Sequence, residues 1–215
     1  QHGGREAFAH LTSADVCNQF IKPATLAAKC AYTDLMLAAS DPNVGEAVVF
    51  ISHAWRYQFL DVYDTLLHTY REAPGTCLWF DIFSVNQHQV GSIGFEETFA
   101  SLIAKIGHVT MILAPCHDPI PFTRVWCLFE VYSAITTGSS FQLAMSQSDR
   151  VRMVDMLHED PECFYTLLAR VDIKRGEAGV PEDKTRILAM IEREVGFEKM
   201  NQQVKGKMRE CIDLI

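Results

Sequence analysis

Ala47-Val48-Val49-Phe50-Ile51-Ser52 is the stretch that decides the fold. Its continuous apolar run is rich in β-branched residues and suits a strand covered on both faces, as in a parallel sheet. Downstream, Ser52-His53-Ala54-Trp55-Arg56 reads as a polar loop, and Phe59, Val62, Tyr63, Leu66, Leu67 and Tyr70 mark one helical face until Pro74-Gly75 breaks it. Cys77-Leu78-Trp79-Phe80 is a second strand ending at Asp81, and Ser84 to Gly94 is a long polar loop. Phe95, Phe99, Leu102, Ile103 and Ile106 then give a helix closed by Gly107, and His108 to Leu113 a third strand. A proline-containing loop leads to Thr123, which reads as the cap of a helix beginning at Arg124 and ending near Gly138, and Phe141 to Met145 is a fourth strand. Alternation of strand and helix predicts an α/β fold with a parallel sheet and right-handed crossovers.

The flanks read as additions to this core. Residues 1–10 are expected to be a poorly ordered lead-in. Leu11-Thr12-Ser13-Ala14-Asp15 offers a cap and an acidic first turn, Pro23 stops that helix or starts the next, and a second helix is predicted from Thr25 to Ala39. After Ser146 the pattern is helical: Val151, Val154 and Leu157; Phe164, Leu167, Leu168 and Val171, with Ala169 to Ile173 as an edge-strand candidate; Ile187, Leu188, Ile191 and Val195 up to Gly196; and a stripe of Met200, Val204, Met208, Cys211, Ile212 and Ile215. The predicted organisation is an N-terminal helical extension over 1–45, an α/β core over 46–146 and a C-terminal helical region over 147–215, packed on the core.

A formal charge of −8, with no basic run, argues against binding to a nucleic-acid backbone. No apolar run is long enough to span a bilayer, so no membrane partner is expected. Seven scattered cysteines, without a Cys-x-x-Cys pair or a close Cys/His cluster, predict a reducing, cytoplasmic setting and no metal site. Phosphate-cradling glycine motifs and the Gly-x-Ser-x-Gly elbow are absent.

In open parallel sheets, ligands bind beyond the carboxyl ends of the strands. The polar stretches 52–56 and 81–88 and the start of the helix carrying Glu130 fall on that rim. Trp126 and Glu130 are four apart and share a helix face, which fits a site as well as it fits a buried turn with one solvated acid. His53 reads as a base or as a hydrogen-bonded turn residue, Asp81 as a ligand-binding group or a loop cap, and Cys127 as a nucleophile or a packed thiol. Arg124 opposes the helix dipole, which suits an anionic partner, while a plain surface arginine reads equally from the sequence.

Val49-Phe50-Ile51-Ser52, Phe80-Asp81 and Trp126-Cys127-Leu128-Phe129-Glu130, in this order and spacing, resemble the Toll/interleukin-1 receptor (TIR) superfamily over about residues 47–146. Phe-Ile-Ser-His-Ala-Trp and Trp-Phe-Asp-Ile-Phe-Ser-Val-Asn-Gln-His are similar to divergent TIR-like domains of protists, algae and fungi. The resemblance implies a flavodoxin-like three-layer sandwich, and either cleavage of NAD⁺ as substrate or assembly through homotypic TIR–TIR contacts. It places the catalytic carboxylate on Glu130, and a loop over Ser84–Gly94 that gates the site and touches other copies. One carboxylate suffices to hold ribose hydroxyls and stabilise an oxocarbenium-like state, because nicotinamide leaves as a neutral group. His53, Trp55, Arg56, Asp81, Ser84, Arg124 and Trp126 are the expected substrate-binding residues, with no cofactor required. His53-Ala54-Trp55-Arg56 departs from the acidic or glycine-rich loop of plant-type members. The expected function is NAD⁺ glycohydrolase, with cyclisation as a side reaction. The alternative is a non-catalytic self-association module, and a small-molecule receptor on the same rim is a third reading.

Overall fold

The computed structural model describes residues 4–89 and 95–212. Four strands, β1 (Val49–Ser52), β2 (Leu78–Trp79), β3 (His108–Ile112) and β4 (Ser140–Ala144), form one all-parallel sheet in the order β2-β1-β3-β4. Phe50 of β1 pairs with Trp79 on one side and Val109 on the other. β1 is therefore flanked by both of the next two strands, and the strand order reverses beside it. Every residue of β1 is buried, which is why its apolar run is unbroken.

Alternate residues of the strands serve two separate cores. Phe50, Val109, Met111 and Phe141 face one layer, and Val49, Ile51, Ile112 and Ala144 face the other. The molecule is a three-layer α/β sandwich of the flavodoxin-like kind. The second layer holds α1 (Ser13–Val16), a π-helical turn (Cys17–Ile21), α4 (Phe59–Thr69) and the short α5 (Asp81–Ser84), and α2 (Lys22–Thr25) and α3 (Tyr32–Ala38) adjoin it. The first layer holds α6 (Phe95–Ile106) and α7 (Val125–Thr137), with residues of α8 (Gln147–Glu159), α9 (Cys163–Ala169), α10 (Pro181–Glu194) and α11 (Phe197–Ile212) in the same core.

Several local expectations change. The described part of the lead-in is folded onto the molecule: a 3-10 turn spans Gly4–Phe8, Arg5 pairs with Asp64 at 2.7 Å, and Phe8 packs against Phe20 and Phe59. The helix predicted from Thr25 begins at Tyr32, because Lys29 takes φ 48° and breaks the chain direction. Thr12 does cap its helix, with Asp15 completing a reciprocal capping box. Pro23 neither stops nor starts a separate helix; it lies within the turn that follows the π-helical one without a break. On α4 the inward face is Val62, Thr65 and Leu66, while Tyr63 and Leu67 are exposed. Ala169 to Ile173 is not a strand; α9 ends there and a turn follows.

The start of α7 differs most usefully. Thr123 does not cap it; its Oγ1 donates back to Ile120 O at 2.9 Å and closes a 3-10 turn. The N-cap is Arg124, which makes no side-chain cap. Val125 N–H instead donates to Glu177 O at 3.0 Å, and Glu177 N–H to Thr123 O at 2.8 Å. A distant backbone segment thus takes up one of the amide groups that a helix start leaves without a partner inside the helix.

Candidate functional site

The rim at the carboxyl ends of β1 and β2 gathers five polar side chains. Ser52 is the last residue of β1 and faces α7, where its hydroxyl donates to Glu130 Oε2 at 2.5 Å. His53, next in the chain, turns to the other layer and meets the Phe80 ring edge-on at 4.5 Å. Asp81 follows β2, and its Oδ1 lies 3.7 Å from His53 Nδ1. Asp81 accepts from Trp55 Nε1–H at 2.5 Å and from Ile82 N–H at 2.7 Å. Gln87 is buried and donates to the Asp81 carbonyl at 2.9 Å.

Burial governs the charges here. Glu130 is only 8% exposed, and its carboxyl is pushed up to about 8 by burial, the Ser52 bond opposing and Asp81 adding to the rise. Asp81 keeps 21% of its side chain exposed and is raised less, to about 6, with Trp55 and Ile82 N–H holding it down. His53 has a side chain 1% exposed, and burial lowers it to about 3, so the imidazole is neutral at physiological pH. Among the described residues, neither of its ring nitrogens has a hydrogen-bond partner. A buried imidazole without partners costs about 1–3 kcal/mol. Beside it, the Asp81 carboxyl is raised by burial too, and such clustered perturbation is found at reactive sites.

The other expected residues spread out. Cys127 is buried on the inner side of α7, with Sγ 3.7 Å from His53 O and a thiol raised by burial, so it is packed and not nucleophilic. Ser84 closes the short α5, accepting from Phe80 N–H at 3.4 Å. Arg56 is exposed, and Arg124 is half-buried at the start of α7. Trp126 leans away from Glu130: its ring packs on Phe99 at 5.1 Å and Phe129 at 6.1 Å, and its Nε1–H donates to Asp183 Oδ2 at 3.2 Å. Their shared face diverges because the indole extends toward α6 and α10, while the shorter carboxyl reaches β1. Of the loop expected over Ser84–Gly94, residues 90–94 lie outside the described residues. Its first part is tied to the N-terminal helices by Asn86 Nδ2–H to Lys29 O at 2.6 Å and by the His88 Nε2–Thr25 Oγ1 contact at 2.8 Å.

The structure adds two residues to the rim that the sequence reading did not name as site residues, Ser52 and Gln87. Ser52 stood in the Phe-Ile-Ser stretch as the strand's last residue, and its position was the available signal. Gln87 lay within the polar stretch 81–88, with nothing local to single it out from its neighbours. Two cavities, of about 450 and 490 Å³, lie elsewhere: one between α4 and the start of α8, one between α7 and α11. Neither reaches Glu130 or Asp81. The Trp55 indole N–H is bonded to Asp81 Oδ2 and so occupies that oxygen of the carboxyl.

Compared with known proteins, the chain matches no family model, no curated protein and no solved structure.

Proposed function

We propose that the chain is a TIR-like hydrolase of the nicotinamide–ribose bond of NAD⁺, with Glu130 as its catalytic carboxyl. The observation that carries this reading is the Glu130 carboxyl bonded to Ser52 at the carboxyl end of β1, on the rim where His53 and Asp81 stand 3.7 Å apart. Cleavage of a pyridinium N-riboside builds positive charge on the ribose, and a carboxylate in a poorly solvated site stabilises that charge strongly. Burial pushes the Glu130 carboxyl up to about 8, which favours its protonated form at neutral pH, and a cationic nicotinamide ring nearby favours the ionised form. Substrate binding therefore expels the Glu130 proton and creates the negative charge where the bond breaks. Trp55 stacks on a substrate ring after leaving Asp81. All seven cysteines are free thiols, which fits a reducing, cytoplasmic setting.

The test is nicotinamide release from NAD⁺ by concentrated protein. Wild type is expected to release it, and Glu130→Ala to lose about 10²–10³-fold in rate, as when one electrostatic group is removed from an active site. No release by wild type, even when clustered, sinks the reading; a full rate in Glu130→Ala sinks the assignment.

The low exposure of Glu130, away from both cavities, favours a second reading: a homotypic assembly module in which this carboxyl is structural. That reading expects concentration-dependent light scattering together with inertness toward NAD⁺.

A further inference from the structure

The cavity of about 450 Å³ opens where the strand order reverses. Its walls come from Tyr57 and Gln58 after β1, Ile112 and Ala114 at the end of β3, and Ser146 and Asp149 at the start of α8. In open parallel sheets this crevice, outside the carboxyl ends of the strands at the change of order, is where ligands bind. Tyr57 spans it at the base, donating its hydroxyl to Ala114 O at 2.6 Å. With Val62 and Ile112, both buried, the Tyr57 ring gives the cavity an apolar floor. The volume suits a small molecule.

Thr65 of α4 lines this cavity and is only 4% exposed. Helical threonines can return their hydroxyl to the carbonyl one turn back. Thr25, Thr69 and Thr137 do so, donating to Ile21 O at 2.8 Å, Thr65 O at 2.7 Å and Ser133 O at 2.7 Å. The Thr65 hydroxyl makes no such bond, nor any other among the described residues. A buried hydroxyl on a cavity wall, without a partner in the chain, points to an occupant.

The charges select the kind of occupant. Asp61, Asp64 and Asp149 line the cavity, no lysine or arginine does, and His68 is the one basic side chain of its wall. Arg5, outside the wall, pairs with Asp64 at 2.7 Å. Asp149 accepts from Cys116 N–H at 2.9 Å and from the Ser146 hydroxyl at 3.0 Å, and neither neutralises it. Asp61 makes no ion pair among the described residues. One unneutralised carboxylate therefore stands on each of the two helices that bound the space, above an apolar floor. Such a wall opposes phosphates and favours ammonium groups joined by hydrocarbon. We propose that this cavity binds an aliphatic oligoamine, whose ammonium groups meet Asp61, Asp149 and the Thr65 hydroxyl and whose methylenes lie on Tyr57, Val62 and Ile112. The site is separate from the Glu130 rim and does not rest on the NAD⁺ reading.

The test is isothermal titration calorimetry of the full chain with spermidine at low salt. The neutral chain 1,8-octanediol and Mg²⁺, a charge without a chain, are the controls. Wild type is expected to bind spermidine saturably, one to one, and more weakly as salt rises. Asp61→Asn, at an exposed position, and Thr65→Val, which keeps the side-chain shape, are each expected to weaken binding about tenfold or more. Thr65→Val is expected to melt no lower than wild type without spermidine, because the lost hydroxyl bonds nothing in the chain. A lost affinity at an unchanged melting temperature then reports the site and not the fold. Asp61→Asn keeps the test open to failure whatever Thr65→Val does to folding. Absence of saturable heat, an unchanged affinity in Asp61→Asn or in folded Thr65→Val, equal binding of octanediol, or displacement of spermidine by equimolar Mg²⁺ each overturns the proposal.

Discussion

Glu130 carries the account at the scale of single residues, and its burial has a cost that pH exposes. The folded carboxyl holds its proton up to about 8, against an ordinary value of 4.5, so the stability present below about 4.5 is lost as pH rises through 8. His53 has the opposite sign: its neutral form is favoured in the fold, and stability is lost as pH falls below its ordinary 6.5. Asp81, raised to about 6, completes its loss before pH 6.5. Between pH 6.5 and 8, Glu130 is then the member of this cluster whose protonation differs most between folded and unfolded chains, with a smaller opposing part from His53 near the lower end. Over that window wild type is expected to lose about 1–2 kcal/mol from this group, and Glu130→Gln, which keeps a partner for Ser52, is expected to remove that slope. Urea unfolding at the two pH values checks it, and an equal slope in both proteins contradicts the shift. His53 and Asp81 were legible as rim residues because each stands just past the carboxyl end of a strand, His53 directly after β1 and Asp81 two residues after the end of β2. The Ser52 bond was not, since 78 positions separate it from Glu130 and only the sheet brings the two together.

At the scale of elements, α7 depends on a segment far from it in sequence. Its first amide is satisfied by Glu177 O, and its Trp126 indole by Asp183, which also accepts from Arg186 Nη2 at 2.6 Å. Gly176 makes the approach close enough: a Cβ there would sit 3.2 Å from Val125 N and 3.2 Å from Ile173 O. Both neighbours are backbone and cannot turn aside. Gly176→Ala is therefore expected to cost about 1–3 kcal/mol by forcing the helix start outward. Chemical denaturation measures the loss, and an unchanged midpoint would show that the strap is loose. The extent of α7 was readable, because Gly138 takes φ 68° and ends the helix where the sequence placed its end. Its beginning was misread at Thr123, since a local cap signal cannot reveal that another part of the chain already serves the helix start.

On the scale of the whole molecule, the C-terminal helices complete the same core as the sheet. Ile173, Ile187, Ile191, Met200, Val204 and Met208 are fully buried in the cluster that contains Phe50, Val109 and Leu128. Cys211 Sγ reaches Phe141 O on β4 at 3.7 Å, so α11 lies against the sheet's outer strand. A chain ending at residue 146 loses one wall of that core and is expected to unfold without a cooperative transition, as seen by circular dichroism; a sharp two-state melt would contradict this. The parallel sheet was plain from β1, β3 and the helical runs between strands, because strand burial on both faces writes itself as continuous apolar sequence. Which helix stripe packs where was not plain, since an apolar stripe records that it is covered and not by what. Among the described residues, no helix is long and apolar enough to cross a membrane.

The most direct measurement is the pH dependence of kcat/KM for nicotinamide release from NAD⁺, taken on wild type and Glu130→Gln side by side. An ionised Glu130 as the reacting group predicts a wild-type rate that rises about tenfold per pH unit and levels near pH 8, with Glu130→Gln low throughout. A pH-independent wild-type rate, or a Glu130→Gln rate equal to it, contradicts the account.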